Sequence, residues 1–166
     1  MNFNIILKVS YIYYLMKTIV LGSDHAGILL KEQIKSYLLE EGHFILDKGC
    51  YTSKSCDYPD IAELVCKEIS SNTIGILVCG TGIGMSIKAN RYDHIRCGLC
   101  TNELMAEMTR KHNNANVLAL GARILDNDTS FKIISKFLKT EFEEGRHQRR
   151  IDKLNYNSIR DIADIL

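Results

Sequence analysis

Apolar and polar positions alternate between two periods along this chain, short β-favouring runs giving way to stretches with helical spacing. The clearest unit is Ile74-Gly75-Ile76-Leu77-Val78-Cys79, an apolar run with no charge, followed by Gly80-Thr81-Gly82-Ile83-Gly84 and then Met85-Ser86-Ile87-Lys88-Ala89-Asn90. A continuous apolar run reads as a strand buried on both faces, and the sequence that follows reads as a loop and a helix. Four more strands are expected, over Lys17 to Gly22, Phe44 to Asp47, Ile95 to Cys100 and Asn116 to Leu120. Between them lie helical patterns: Ile28, Leu29, Ile34, Leu38 and Leu39 before Gly42; Ile61, Leu64, Val65 and Ile69 after Asp57-Tyr58-Pro59; Leu104, Met105 and Met108 after Thr101-Asn102-Glu103. Pro59 suits a first helical turn, where its missing N–H is not needed. Thr129 to Thr140 offers Phe131, Ile133, Ile134, Phe137 and Leu138 for burial. A last helix after Gly145-Arg146-His147-Gln148-Arg149-Arg150 carries Ile151, Leu154, Ile159, Ile162 and Leu166. Five strands alternating with helices predict an α/β fold of three layers, a doubly wound, Rossmann-like parallel sheet with helices on both faces.

Composition narrows the classes. At 166 residues the chain is one domain in size, expected over residues 16–166. Met1 to Leu15 is apolar and tyrosine-rich, with one lysine, no acidic residue and no small-residue cleavage signal. It is a poor secretory leader and too short for a membrane span, so it is read as an extension outside the fold. A net charge of +1 gives no nucleic-acid surface, and no membrane partner is expected. Six cysteines in a chain of this size favour free thiols in a reducing, cytoplasmic setting. Cys97-Gly98-Leu99-Cys100 spells C-x-x-C, but within a strand those positions face opposite ways.

The candidate chemistry gathers where strands end. Gly80 to Gly84 matches neither G-x-G-x-x-G nor a P-loop, yet its backbone can turn sharply and leave N–H groups open to an anion. Cys79 at the strand terminus is either a small core residue or a thiolate facing that cradle. Ser23, Asp24 and His25 end the first strand and Arg123 follows the fifth; right-handed crossovers bring these groups to one edge of the sheet, where open α/β sheets hold ligands. Asp24 has the alternative of a helix cap. His112 and Asn113 have that of a polar helix terminus, and Arg146, Arg149 and Arg150 that of a solvated helix start. Together, a thiol, an acid, histidines, an anion cradle and guanidinium groups are what is needed to hold a phosphorylated small molecule and move its protons.

Gly22-Ser23-Asp24-His25-Ala26-Gly27, Asp57-Tyr58-Pro59, Cys79 to Gly84, Arg110-Lys111-His112-Asn113, Asn116-Val117-Leu118 and Gly145-Arg146-His147-Gln148 resemble, in order and spacing, the motifs of the type B ribose-5-phosphate isomerases, within the group that includes the galactose-6-phosphate and allose-6-phosphate isomerases. The resemblance runs from Lys17 to the end. It implies a metal-free, cofactor-free aldose–ketose isomerase of the pentose phosphate pathway, interconverting ribose 5-phosphate and ribulose 5-phosphate through an enediolate. By this resemblance Cys79 is the base and His112 assists opening of the furanose ring; on chemical grounds Asp24 is placed to shuttle protons between the two hydroxyl oxygens. Ser23, Asp24, Gly80, Thr81, Gly82, Ile83, Gly84, Asn113, Arg123, Arg146 and Arg150 match substrate positions. Tyr58 is expected to line the pocket, and His25 to touch sugar or phosphate. The resemblance also implies a homodimer or dimer of dimers whose sites are shared across the interface. The alternatives are an isomerase of a hexose 6-phosphate and a non-catalytic phosphate-binding module on the same fold.

Overall fold

The computed structural model describes residues 16–155. The expected extension over residues 1–15, and the positions Ile159, Ile162 and Leu166 of the last expected helix, lie outside them. Five parallel strands, β1 (Thr18–Ser23), β2 (Phe44–Asp47), β3 (Thr73–Cys79), β4 (Cys97–Leu99) and β5 (Val117–Gly121), form one sheet in the order β2-β1-β3-β5-β4. Six helices connect and cover them: α1 (Ile28–Glu40), α2 (Tyr58–Cys66), α3 (Ile83–Ala89), α4 (Glu103–Asn113), α5 (Asn127–Lys139) and α6 (Arg146–Asp152). Among the described residues no helix is long and apolar enough to cross a membrane.

Alternation along the strands supplies two cores. Ile19, Leu21, Ile76, Val78, Leu118 and Leu120 point to one face, against Leu30, Ile34 and Leu38 of α1 and Ile133, Ile134 and Phe137 of α5. Val20, Leu77, Cys79, Val117 and Ala119 point to the other, against Ile61, Ala62 and Val65 of α2 and Met85 and Ala89 of α3. Residues one apart on a strand therefore serve opposite layers.

Several expectations shift. Leu29 is 81% exposed and Leu39 54%, because α1 has more leucines than its single buried stripe, Leu30-Ile34-Leu38, can take. Leu64, Leu104 and Met105 are likewise exposed. The fourth strand keeps only Cys97–Leu99 of the expected run. The last helix begins at Arg146, so the basic cluster is inside it rather than before it. Free thiols hold for Cys66, Cys79, Cys97 and Cys100, but Cys50 and Cys56 are joined by a disulfide. Its loop folds back on the end of β1: the Cys50 N–H donates to the Ser23 carbonyl (2.9 Å) and the Cys56 N–H to His25 Nδ1 (3.4 Å).

A polar knot fixes the start of that loop. The Lys31 side chain is fully buried, and its ammonium donates to both Asp47 oxygens at 2.9 Å while Lys35 donates to Oδ2, also at 2.9 Å. Glu32 lies 2.8 Å from the Lys31 nitrogen, and the Gly49 N–H donates to Asp47 Oδ1 (3.0 Å). Burial pushes the Asp47 carboxyl up, but the hydrogen bonds from Lys31, Lys35 and Gly49 outweigh it and hold it below the usual carboxylate range. A depressed carboxyl contributes stability that is complete above its unfolded pKa of about 3.9 and fades as pH falls through the lower folded value. Asp47→Asn is expected to cost about 2 kcal/mol at pH 7, with Glu32 still facing Lys31. Urea unfolding at pH 7 and pH 3 should show the gap between variant and wild type narrowing in acid.

Candidate active site

The crevice where neighbouring strands lead in opposite directions lies between β1 and β3, since β1 continues to β2 on one side and β3 to β5 on the other. Ser23 and Cys79 end those two strands, and the Asp24 N–H donates to the Val78 carbonyl (3.1 Å), tying the two ends together. Asp24 does cap the short 3₁₀ turn His25–Gly27: its Oδ1 accepts from the Ala26 and Gly27 N–H groups at 2.9 and 3.1 Å. The cap uses Oδ1 and leaves Oδ2 outside it. Ser23 Oγ is buried without a hydrogen-bond partner among the described residues. A hydroxyl in that position is a donor or acceptor held ready for another group.

Cys79 is 5% exposed and faces the α2–α3 core, so its sulfur is close to apolar neighbours. Its polar contact is the loop itself: the Gly82 N–H donates to Sγ (3.1 Å). Gly82 makes this possible with φ +79°, a left-handed conformation that side chains rarely adopt, at the entry to α3. Two side chains close over the loop. The Arg123 N–H donates to the Gly80 carbonyl (2.9 Å), and its Nη1 lies 3.3 Å from where a Gly80 Cβ would stand. The Tyr58 ring lies 2.7 Å from the corresponding point at Gly84, so any side chain there would collide with it. Ser23, Asp24, His25, Tyr58, Cys79, Gly80, Thr81, Gly82, Ile83, Gly84 and Arg123 are thus gathered at one edge.

The remaining expected residues are elsewhere. His112 and Asn113 end α4, a helix of 11 residues that starts at the carboxyl end of β4 and leads into β5. Such a helix runs back along the sheet for about 16 Å, which puts its C-terminus at the opposite edge. There His112, Asn113 and Arg150 line a cavity of about 280 Å³ with His147, Ile151 and Leu154. Arg146 is beside them, its Nε donating to His147 Nε2 (3.3 Å). Among the described residues no hydrogen bond or ion pair joins this group to the Cys79 group.

His147 and Glu143 are members of the second cluster to which the sequence assigned no role. The His112 and His147 rings stack with centroids 4.2 Å apart and planes at 5°. Glu143 Oε2 lies 3.6 Å from His147 Nε2 and 3.9 Å from His112 Nε2. Burial first, then His112, Arg146 and Arg150, hold His147 below the usual imidazole range, against Glu143. Their ligand atoms lie within 4.8 Å of one another, a His₂Glu set of the kind zinc uses. Parallel rings, however, aim their in-plane lone pairs side by side rather than at one point, and Arg146 is already hydrogen-bonded to one of the nitrogens. The sequence signal was available: Glu143 stands four residues before the histidine of Gly145-Arg146-His147-Gln148. The Cys97 and Cys100 thiols are both raised by burial, Cys100 to about 12, which speaks against a redox pair.

Comparison with known proteins agrees with this fold. The profile of the Ribose/Galactose Isomerase family matches residues 19–154. Ribose-5-phosphate isomerase B of Escherichia coli is 39% identical over 141 residues, covering 84% of this chain and 95% of that protein. D-erythrulose-4-phosphate isomerase of Pectobacterium atrosepticum is 39% identical over 144 residues, covering 85% and 95%. The crystal structure of a ribose 5-phosphate isomerase from Thermotoga maritima superposes with a TM-score of 0.82 at 49% identity, covering 84% of this chain and 97% of that one. The chain is an isomerase and belongs to the ribose/galactose isomerase family, in its type B ribose-5-phosphate isomerase group.

Proposed function

We propose that the chain interconverts D-ribose 5-phosphate and D-ribulose 5-phosphate, the step this chemistry serves in the non-oxidative pentose phosphate pathway, with Cys79 as the base. The observation that carries this reading is the Gly82 N–H aimed at the Cys79 sulfur beside a loop of backbone amides and the Arg123 guanidinium. Moving the carbonyl from C1 to C2 requires a proton to leave C2 and return at C1, while negative charge collects on oxygen. The thiolate of Cys79 does the first task, with the Gly82 N–H donating to its sulfur.

Charge on oxygen needs donors already in place, each typically worth about 2.7–4 kcal/mol when removed. The Gly82 N–H is used on Sγ and the Ser86 N–H on the Gly82 carbonyl, which narrows the oxyanion donors to the other amides of the loop. Asp24 Oδ2, outside the cap, exchanges protons between the two hydroxyl oxygens, and Ser23 Oγ bonds the sugar. Tyr58 and His25 border the same pocket.

The phosphate-binding arginines and the ring-opening group come from a second copy. His112, Asn113, Arg146 and Arg150 sit about one helix length from Cys79 in one chain, so a complete site is built by pairing two chains, as a homodimer or a dimer of dimers. Ile83 and Ile87 of α3, 51% and 55% exposed beside the cradle, are apolar surface suited to such an interface. Arg146 and Arg150, four apart on α6, present two guanidinium groups on one helical face to a phosphate. The erythrulose 4-phosphate relative indicates that substrate length varies on this scaffold, so a six-carbon sugar phosphate is the competing substrate.

Cys79→Ala is expected to lower kcat by about 10²–10⁴-fold with the fold intact, the scale of a lost acid–base group. Turnover of ribose 5-phosphate should exceed that of allose 6-phosphate and galactose 6-phosphate. A hexose preference would overturn the substrate, and an unaffected Cys79→Ala would overturn the base. Mixing Cys79→Ala with His112→Asn after joint refolding should restore part of the activity that neither variant has alone, because one site of each mixed dimer is intact. Recovery of nothing would refute the shared site.

A further inference from the structure

Glu143 is 45% exposed by side chain, yet it is not left to wander. Its backbone N–H donates to the Lys111 carbonyl (3.1 Å), which fastens the segment before α6 to the last turn of α4. That fastening puts the carboxylate next to both stacked imidazoles. The other charged groups facing the pair are Lys111, whose Nζ is 3.9 Å from Glu143 Oε1, and Arg146 and Arg150 of α6.

These contacts divide the labour between the rings. Arg146 Nε donates to His147 Nε2, so that nitrogen carries a lone pair and His147 is neutral. Burial and the neighbouring cations favour the same state. Two cationic rings face to face 4.2 Å apart would repel, whereas one cation on one neutral ring does not. The Glu143 carboxylate, 3.9 Å from His112 Nε2, is therefore left to orient that ring.

We propose that Glu143 is the positioning residue that keeps His112 as a proton donor against the neutral face of His147, and so sets the rate of furanose opening. The inference rests on the isomerase reading above. In the step itself the C1–O4 bond breaks, O4 takes the proton of His112, and O1 gives its proton to Asp24 as the C1 carbonyl forms. Only the aldose needs this step. Ribulose 5-phosphate is open-chain, because its C5 oxygen is esterified and cannot close a five-membered ring on the C2 ketone.

The experiment is Glu143→Gln assayed in both directions, after the wild type has been shown to turn over both pentose phosphates. The variant is expected to lose about tenfold or more in kcat/KM on ribose 5-phosphate, and by the same factor in reverse because the equilibrium constant is fixed, while exchange of the ribulose 5-phosphate C1 proton with deuterated solvent, which needs no ring step, stays within about twofold of wild type; acid–base assistance is typically worth about 10²–10⁴-fold. Glu143→Asp, which keeps the charge, should recover part of the loss. A matching loss of C1 proton exchange, or no loss of turnover, would overturn the role of Glu143 while leaving the isomerase reading in place. A wild type inactive on both sugars would remove that reading and this inference with it.

Discussion

A helix that links two parallel strands must return the chain to the edge from which the next strand starts. This one constraint decides what the molecule can do alone. Residues following a strand, such as Asp24, Gly80 and Arg123, collect at the carboxyl edge, and residues ending a helix, such as His112 and Asn113, collect at the other. No side-chain rotation spans about 16 Å of helix. The groups proposed for the isomerase chemistry are thus split between two edges of one sheet, and under the proposed function a second copy is part of the active site rather than an addition to it.

Close packing holds the carboxyl-edge half in shape. The Asp24 N–H to Val78 hydrogen bond clamps β1 to β3, and Asp24 then caps the turn that starts α1. Capping and the proposed proton transfer are compatible here because a carboxylate has two oxygens and the cap takes one. Next to it, the Lys31–Asp47 knot and the Cys50–Cys56 loop border the same strand end, so the pocket wall is set by buried charge and covalent linkage on the β2 side and by the glycine loop on the β3 side. The wall by Cys79 is tighter: an amide on the sulfur, a tyrosine ring on Gly84 and a guanidinium over Gly80 leave little freedom for the loop.

The parts of this that a sequence can show are those fixed by local periodicity. The all-apolar run ending at Cys79 could only be a doubly covered strand, and the strand–helix alternation then dictated the sheet and which strand ends meet. Leu29 and Leu39 misled because helical spacing does not say which of two adjacent leucines faces the core when a helix has leucines to spare. Lys31 was invisible for the converse reason: a lysine in a helix reads as solvated, and only the fold brings Asp47, 16 residues away, to its ammonium. The Cys50–Cys56 pair also depends on how a loop closes, which has no period.

Glu143 was missed on the same grounds. Its backbone pairs with Lys111, 32 residues earlier, through the packing of α6 against α4. Yet the split of the active site gives a reason for such a unit to exist. A donor supplied across an interface cannot rely on the acceptor subunit to set its charge before the two meet, since the field it will feel there is absent in the free chain. On the proposed reading, a carboxylate and a stacking partner carried on the same chain as His112 keep its ring plane in order beforehand. Preorganisation of that kind removes from the reaction the cost of arranging charge at the moment of proton transfer. The proposed base half shows the same economy, with the Gly82 amide already on the Cys79 sulfur in the single chain. On the proposed reading each half is prepared on its own chain, and pairing two chains has only to bring two finished halves to the sugar.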